Sequence, residues 1–202
     1  MSNQDKDLLV KEQLIRLASD GPGAYEAARS WFEQQGPGIA AALAGGLEDA
    51  GLGSVAHWRI LRLLAYFARE ETLPAILKAF HRARAPYDPI VLPGAMEALA
   101  AFRTPEASGP LIALLQESNL DIVMSAAALV GYTGDLNAVE PLLRLLSSDN
   151  SSLRYSATRG LIHFDTPTVR AALEKHLETE TESGVRELIL SAQGGGGNKD
   201  AK

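Results

Sequence analysis

The stretch GYTGDLNAVEPLLRLL, Gly131 to Leu146, says nearly the same thing as AFRTPEASGPLIALL, Ala101 to Leu115, a little over thirty residues before it. Such likeness puts internal self-similarity ahead of any search for catalytic residues, because a repeated unit decides the whole fold. Aligned on a proline that opens an apolar helical run, Pro110 of PLIALL falls on Pro141 of PLLRLL, and Pro74 of PAILKAF falls on both. A second phrase recurs upstream: LAYF at Leu64 to Phe67, LAAF at Leu99 to Phe102, LVGY at Leu129 to Tyr132 and LIHF at Leu161 to Phe164. Each closes an apolar helix with an aromatic. Downstream, the polar turns SNLDIVMSAA, DNSSLRYSA and ESGVRELIL bring Val123, Leu153 and Val185 into register, in steps of 30 and 32 residues. That spacing is too regular for chance and too short for a folded domain per copy, so each copy is two helices.

Periodicity supplies the helices. In LNAVEPLLRLLSSD the apolar residues Val139, Leu142, Leu143 and Leu146 stand at i, i+3, i+4 and i+7, one stripe of a 3.6-residue helix. Leu143 is expected in the seam between neighbouring copies. The prolines are expected in the first turns of the second helices, where a missing N–H costs least. Asp121, Asp135 and Thr166 are candidate N-caps, with oxygens that can accept from a first turn. A lone helical pair of this size cannot bury its apolar stripe, so the copies must stack and share one core. The fold class expected is all-α, a right-handed α-solenoid of about five stacked antiparallel helical pairs.

The phrasing DIVMSAAALVGYTGDLNAVEPLLRLLSSD resembles the short bacterial HEAT-like repeats of the phycobilisome-lyase type. Their pattern opens on Asp-x-x-Val-Arg-x-x-Ala, passes through Ala-Leu-Gly and closes on a Pro-Leu-x-x-Leu-Leu second helix. The Val-Arg pair is kept at Val185-Arg186, becomes Leu153-Arg154 and is broken at Val123-Met124. The resemblance covers about residues 54 to 193 and implies an array of repeats there. Residues 1–53 read as a diverged first repeat and cap: a helix over Asp5 to Ala18, a Gly21-Pro22-Gly23 break, a helix around Tyr25 to Gln34, a break at Gly36-Pro37-Gly38, and a poorer helix from Ile39 to Glu48. Residues 194–202 carry no side chain large enough to pack and read as a flexible tail.

Composition bounds the rest. With 202 residues, 46% hydrophobic and 22% charged, the chain can bury a core. No uninterrupted run of ~18 apolar residues exists for a membrane span. MSNQDKDLLVKEQ is too acidic and polar for a secretory signal. Zero cysteines exclude disulfides, thiolate metal sites and cysteine nucleophiles and fit a reducing cytoplasm, the location expected.

Catalytic constellations are missing. The four histidines stand in AHW, FHR, IHF and KHL, with no His-Glu pair and no HExxH spacing, which speaks against a metal and against the HEAT-like metal hydroxylases. His163, between Ile162 and Phe164, reads as a helix-packing residue. No GxSxG elbow is present. GLGSVA, Gly51 to Ala56, formally matches a loose dinucleotide fingerprint, but no strand precedes it, so it reads as a loop into the next repeat. No catalytic residue and no cofactor are expected.

Charge is uneven. Residues 54–84 hold Arg59, Arg62, Arg69, Lys78, Arg82 and Arg84 against Glu70 and Glu71, within a chain of net charge −6. Residues 165–187 are acidic on balance. The basic pair of helices could bind an anionic partner, and some HEAT-like proteins are DNA glycosylases, but phosphate binding would want a basic stripe across several repeats. The function expected is a non-catalytic scaffold that binds a protein partner through its concave face. An accessory protein resembling bilin lyases or a chaperone, and a nucleic-acid-binding relative of the glycosylases, remain as alternatives. Candidate partner-binding residues on the second helices are Lys78, His81, Arg82, Glu140, Arg144, Arg170, Glu174 and Lys175. With Lys78 and Arg82 at one end and Glu174 and Glu178 at the other, the wall is expected to be bipolar.

Overall fold

The structure, a computed structural model, describes residues 3–195. Two compact units divide between Phe102 and Arg103. Every regular element among the described residues is helical.

The first unit holds α1 (Asn3–Ala18), α2 (Ala24–Gln35), α3 (Ala40–Gly45), α4 (Gly53–Phe67), α5 (Leu73–Arg84) and α6 (Val91–Ala100). The glycine-proline breaks fall where the sequence places them, after α1 and after α2. GLGSVA becomes a 3-10 turn, Ala50–Leu52, running into α4. Gly53 stands at that junction with φ +76°, a left-handed backbone that favours glycine, so the motif is a helix start. In α5, Pro74 sits at the second position, and Ile76, Ala79, Phe80 and Ala83 form the buried stripe. That stripe, with Leu17, Phe32, Leu43, Leu47, Ile60, Leu64, Leu92 and Met96, builds the unit's core. Helices α4 and α6 approach closely because Gly94 lies beneath Trp58, where an added Cβ would stand 2.7 Å from the indole Cδ1.

The second unit holds α7 (Pro105–Leu114), α8 (Leu120–Val130), α9 (Val139–Leu146), α10 (Ser151–Leu161), α11 (Pro167–Thr179) and α12 (Ser183–Gly195). First helices α8, α10 and α12 pack in sequence on one another, and second helices alternate between them. The register residues Val123, Leu153 and Val185 are all buried, one in each first helix. Gly194 and Gly195 close α12, so the tail expected over 194–202 begins inside a helix; its remainder, 196–202, lies outside the described residues.

Three details differ from the sequence reading. Pro110 lies in the middle of α7, because Pro105 takes the first helical position behind the extended Thr104. The N-cap of α8 is Asn119, whose side chain accepts from the Asp121 N–H, while Asp121 occupies the first turn, where its charge suits the helix N-terminus. Asp135 and Thr166 do cap, accepting from the Asn137 and Val169 N–H groups. In α9 the fully buried residues are Leu142 and Leu146, continuing from Ala138 at i and i+4 spacing, and Leu143 is only half-buried beside them.

Candidate functional site

The amphipathic stripe of α5 leaves Lys78, His81 and Arg82 exposed on its other face. Lys78 Nζ donates to Glu48 Oε2 at 2.6 Å. Arg82 donates to the Leu47 carbonyl at 2.5 Å and stands 3.8 Å from the same Glu48 carboxylate. The hydrogen bond from Lys78, followed by the charges of Lys78 and Arg82, holds the Glu48 carboxyl below its ordinary pKa. The two cations thus meet on one acid from the turn Gly46–Glu48, and His81 turns an edge to Phe80.

Arg59 is withdrawn from any basic patch. Its side chain is mostly buried, it donates to the carbonyls of Leu17 (2.7 Å) and Ser19 (3.1 Å), and its guanidinium lies 4.7 Å from the Tyr25 ring centre. It caps the end of α1, whose last carbonyls have no helical partner. Arg62 sits over Trp58 and Arg69 pairs with Glu71. Charge counting along the sequence cannot show such commitments, since the acceptors are carbonyls some forty residues away.

In the second unit all five remaining candidates are exposed. Arg144 bonds Glu140 one turn away on α9 at 3.3 Å, and on α11 Arg170 pairs with Asp165. Glu174 and Lys175 project from the same helix, and no bond joins the α9 pair to the α11 residues among those described.

A buried node escaped the sequence reading. Arg154 binds Glu180 through Nε–Oε2 at 2.7 Å and Nη2–Oε1 at 2.8 Å, and gives Nη1 to the carbonyls of Ser148 (2.9 Å) and Asp149 (3.0 Å). Glu180 also accepts from the Thr181 and Glu182 N–H groups and lies 2.7 Å from His176 Nε2. The Arg154 hydrogen bonds, then the Glu182 N–H and His176, hold the Glu180 carboxyl far below the carboxylate range against the opposing effect of burial. Arg186 repeats half of this arrangement, donating at 2.9 Å to the carbonyls of Leu177 and Glu180. The signal in the sequence was the apolar-Arg pair at 153–154 and 185–186. Its partner acid carried none.

Each unit also has an open cleft. In the first unit a cleft of about 250 Å³ is lined by His57, Arg82 and Asp88 among others. Its polar groups are already engaged: His57 Nε2 lies 2.9 Å from the Asp49 carbonyl, Asp88 accepts from Ser54 Oγ and the Ile90 and Val91 N–H groups, and Arg82 holds Leu47. In the second unit a cleft of about 390 Å³ runs along α10, lined by Ser151, Ser152, Tyr155, Ser156 and Arg159, with Met124 of α8 and Glu182 and Gly184 at the start of α12. Among the described residues, no group of three or more His, Cys, Asp or Glu side chains is placed to hold a metal ion.

Serial helical pairs of this kind define an α-helical repeat protein of the α-solenoid class. Residues 124–193 match the family model for HEAT repeats. Among solved structures, a designed armadillo repeat protein in complex with the peptide (KR)4 is similar at 15% identity, with 92% of this chain and 98% of that one covered and a TM-score of 0.53. Human deoxyhypusine hydroxylase in complex with glycerol is similar at 15% identity, covering 95% of this chain and 96% of its own, with a TM-score of 0.40. An engineered protein is similar at 21% identity, covering 91% and 97%, with a TM-score of 0.41. No curated protein matches the sequence.

Proposed function

We propose that the protein is a non-catalytic HEAT-like scaffold that binds a protein partner through the exposed faces of its second helices, with Lys78, His81, Arg82, Glu140, Arg144, Arg170, Glu174 and Lys175 as the contact residues. The observation that supports it most directly is the state of these side chains. All eight are exposed, they come from helices whose opposite faces carry the core, and both signs of charge are present. Surfaces of that kind give specificity and association rate more than raw affinity. The similar designed armadillo protein holds a charged peptide, (KR)4, which fits the use of a helical repeat as a peptide-binding frame. The commitment of Arg59 and Arg82 to carbonyl oxygens weighs against a basic stripe for nucleic acid.

The test is capture of partners from the native host, identified by mass spectrometry and then remeasured with purified partner against a Glu174→Lys, Lys175→Glu double variant. The expected result is slower association that depends on salt concentration in a variant with unchanged melting. Equal association rates for a purified partner would remove α11 from the binding face. A DNA duplex that binds with a steep salt dependence would favour the nucleic-acid reading instead.

A further inference from the structure

The repeat register of the second unit builds an edge without charge. Thr104, Asp135 and Thr166, 31 residues apart, stand at the N-cap of α7, of the 3-10 turn that leads into α9, and of α11. Pro105, Leu136 and Pro167 follow them at the first helical position, and all three are exposed, Leu136 by 62%. The same register puts Thr133, not Tyr132, at the buried place of Phe102 and Phe164, which turns Tyr132 outward to 48% exposure.

These three rungs are neighbours. Ser108 of α7 donates its hydroxyl to Asp135, which ties the first rung to the second. The Tyr132 and His163 rings, 4.0 Å apart between centres, join the second to the third. Burial, then the charge of Arg159, push His163 below its ordinary pKa, so it adds an uncharged ring at neutral pH. Apolar side chains exposed singly are normal on a protein surface. Pro105, Tyr132, Leu136, His163 and Pro167 instead follow one another along one edge, and a run of that kind marks a contact surface.

Charge decides what covers the edge. The residues before the three N-caps are Arg103, Gly134 and Asp165, all exposed, so one track carries a cation at the first rung, no charge at the middle and an acid at the third. Asp165 pairs with Arg170, yet its side chain is 90% exposed and keeps room for a second cation. A two-fold axis that lies in the contact and crosses the middle rung reverses the order of the rungs while keeping each track opposite itself. Arg103 of each copy then faces Asp165 of the other, Pro105 faces Pro167, and Leu136 and Tyr132 meet their own counterparts. A two-fold axis along the edge would instead put like charges on the same rung.

We propose that this edge is a contact between two copies of the chain, related by a two-fold axis through the Leu136 rung, with Arg103 and Asp165 as the reciprocal pairs that set its register. The apolar rungs supply the attraction, since an exposed ion pair adds little by itself. Three rungs at the usual helix spacing make an edge only about 20 Å long, so the contact is below standard size and association is weak. The edge contains none of the eight residues of the second-helix surface proposed above.

The experiment is sedimentation equilibrium of the full chain from about 5 to 500 µM, a range suited to an interface below standard size. The expected result is a mass that rises from that of one chain towards that of two. Leu136→Ser should move the midpoint about ten-fold or more to higher concentration with unchanged melting. Arg103→Asp and Asp165→Arg should each weaken association about five-fold, and the double variant, which exchanges the pair, should restore most of it. The chain has no cysteine, so introduced ones report the geometry. A mixture of Pro105→Cys and Pro167→Cys chains should cross-link on oxidation, and Pro105→Cys alone should not. A mass that stays at one chain throughout, association unchanged in Leu136→Ser, a double variant no better than the single ones, or Pro105→Cys joining itself as readily as Pro167→Cys overturns the proposal.

Discussion

Gly131 and Gly160 meet backbone against backbone, with the Gly160 carbonyl oxygen occupying the place where a side chain on Gly131 would begin. Gly160 stands in the same relation to the Ala127 carbonyl, so two successive first helices, α8 and α10, are held at a distance that only hydrogen atoms allow. Gly160→Ala must push the backbones apart and open the shared core, and should cost about 3 kcal/mol, the upper part of the usual overpacking range. Gly45→Ala is the control: it lies in α3 with open space around an added Cβ, and a helical alanine should gain about 0.5–1 kcal/mol there. Denaturant titration of the two variants measures both signs, and a neutral Gly160→Ala would mean that the seam can yield.

The Arg154–Glu180 pair should dominate the acid response of the second unit. The Glu180 carboxyl is held far below its ordinary value of 4.5, chiefly by the Arg154 hydrogen bonds. A carboxylate with a depressed folded-state pKa contributes stability that is fully present above its unfolded value and is lost as pH falls toward the folded one. Stability should therefore decline from about pH 5 downward, and the decline should be shallower in Glu180→Gln. At neutral pH, Arg154→Met leaves a buried carboxylate without its main partner and should cost about 3–5 kcal/mol. Unfolding curves at neutral and acid pH check both; parallel pH profiles for wild type and Glu180→Gln would assign the acid response to other groups.

In α9 the deep position is Leu142, which is fully buried, while Leu143 is half-buried. Leu142→Ala should cost about 2–5 kcal/mol and Leu143→Ala clearly less, since only part of its surface leaves water on folding. Equal losses would show that Leu143 carries as much of the core as Leu142.

That pair shows what the sequence could and could not say. The i, i+3, i+4, i+7 spacing identifies the helix and its apolar side, and the recurrence of Val123, Leu153 and Val185 identifies the stacking. Spacing alone gives a stripe some four residues wide, and which member lies deepest depends on how neighbouring helices cross. The same holds for Pro110: its alignment on Pro141 was correct as text, but Pro105 starts α7 earlier and leaves Pro110 inside. The site was less legible still. A lysine on one helix and a glutamate thirty residues earlier carry no mutual signal in a single sequence, so Glu48 could not be paired with Lys78, nor Glu180 with Arg154.

The last expectation separates partner binding from local structure at Lys78 and Arg82. Both are exposed, yet both hold the turn Gly46–Glu48, Lys78 through the Glu48 carboxylate and Arg82 through the Leu47 carbonyl. Reversing both charges puts three carboxylates together and removes the carbonyl bond, so Lys78→Glu with Arg82→Glu should melt somewhat earlier while remaining folded, because neither side chain belongs to the core. Lys78→Gln with Arg82→Gln removes the charges without creating repulsion and should melt closer to wild type. If these cations steer a partner, both variants slow association at low salt, the reversal more than the neutralisation, and the difference shrinks as salt screens the field. Association rates that stay at the wild-type value in the glutamine variant would leave Lys78 and Arg82 as clamps on a turn and move the binding face to α9 and α11.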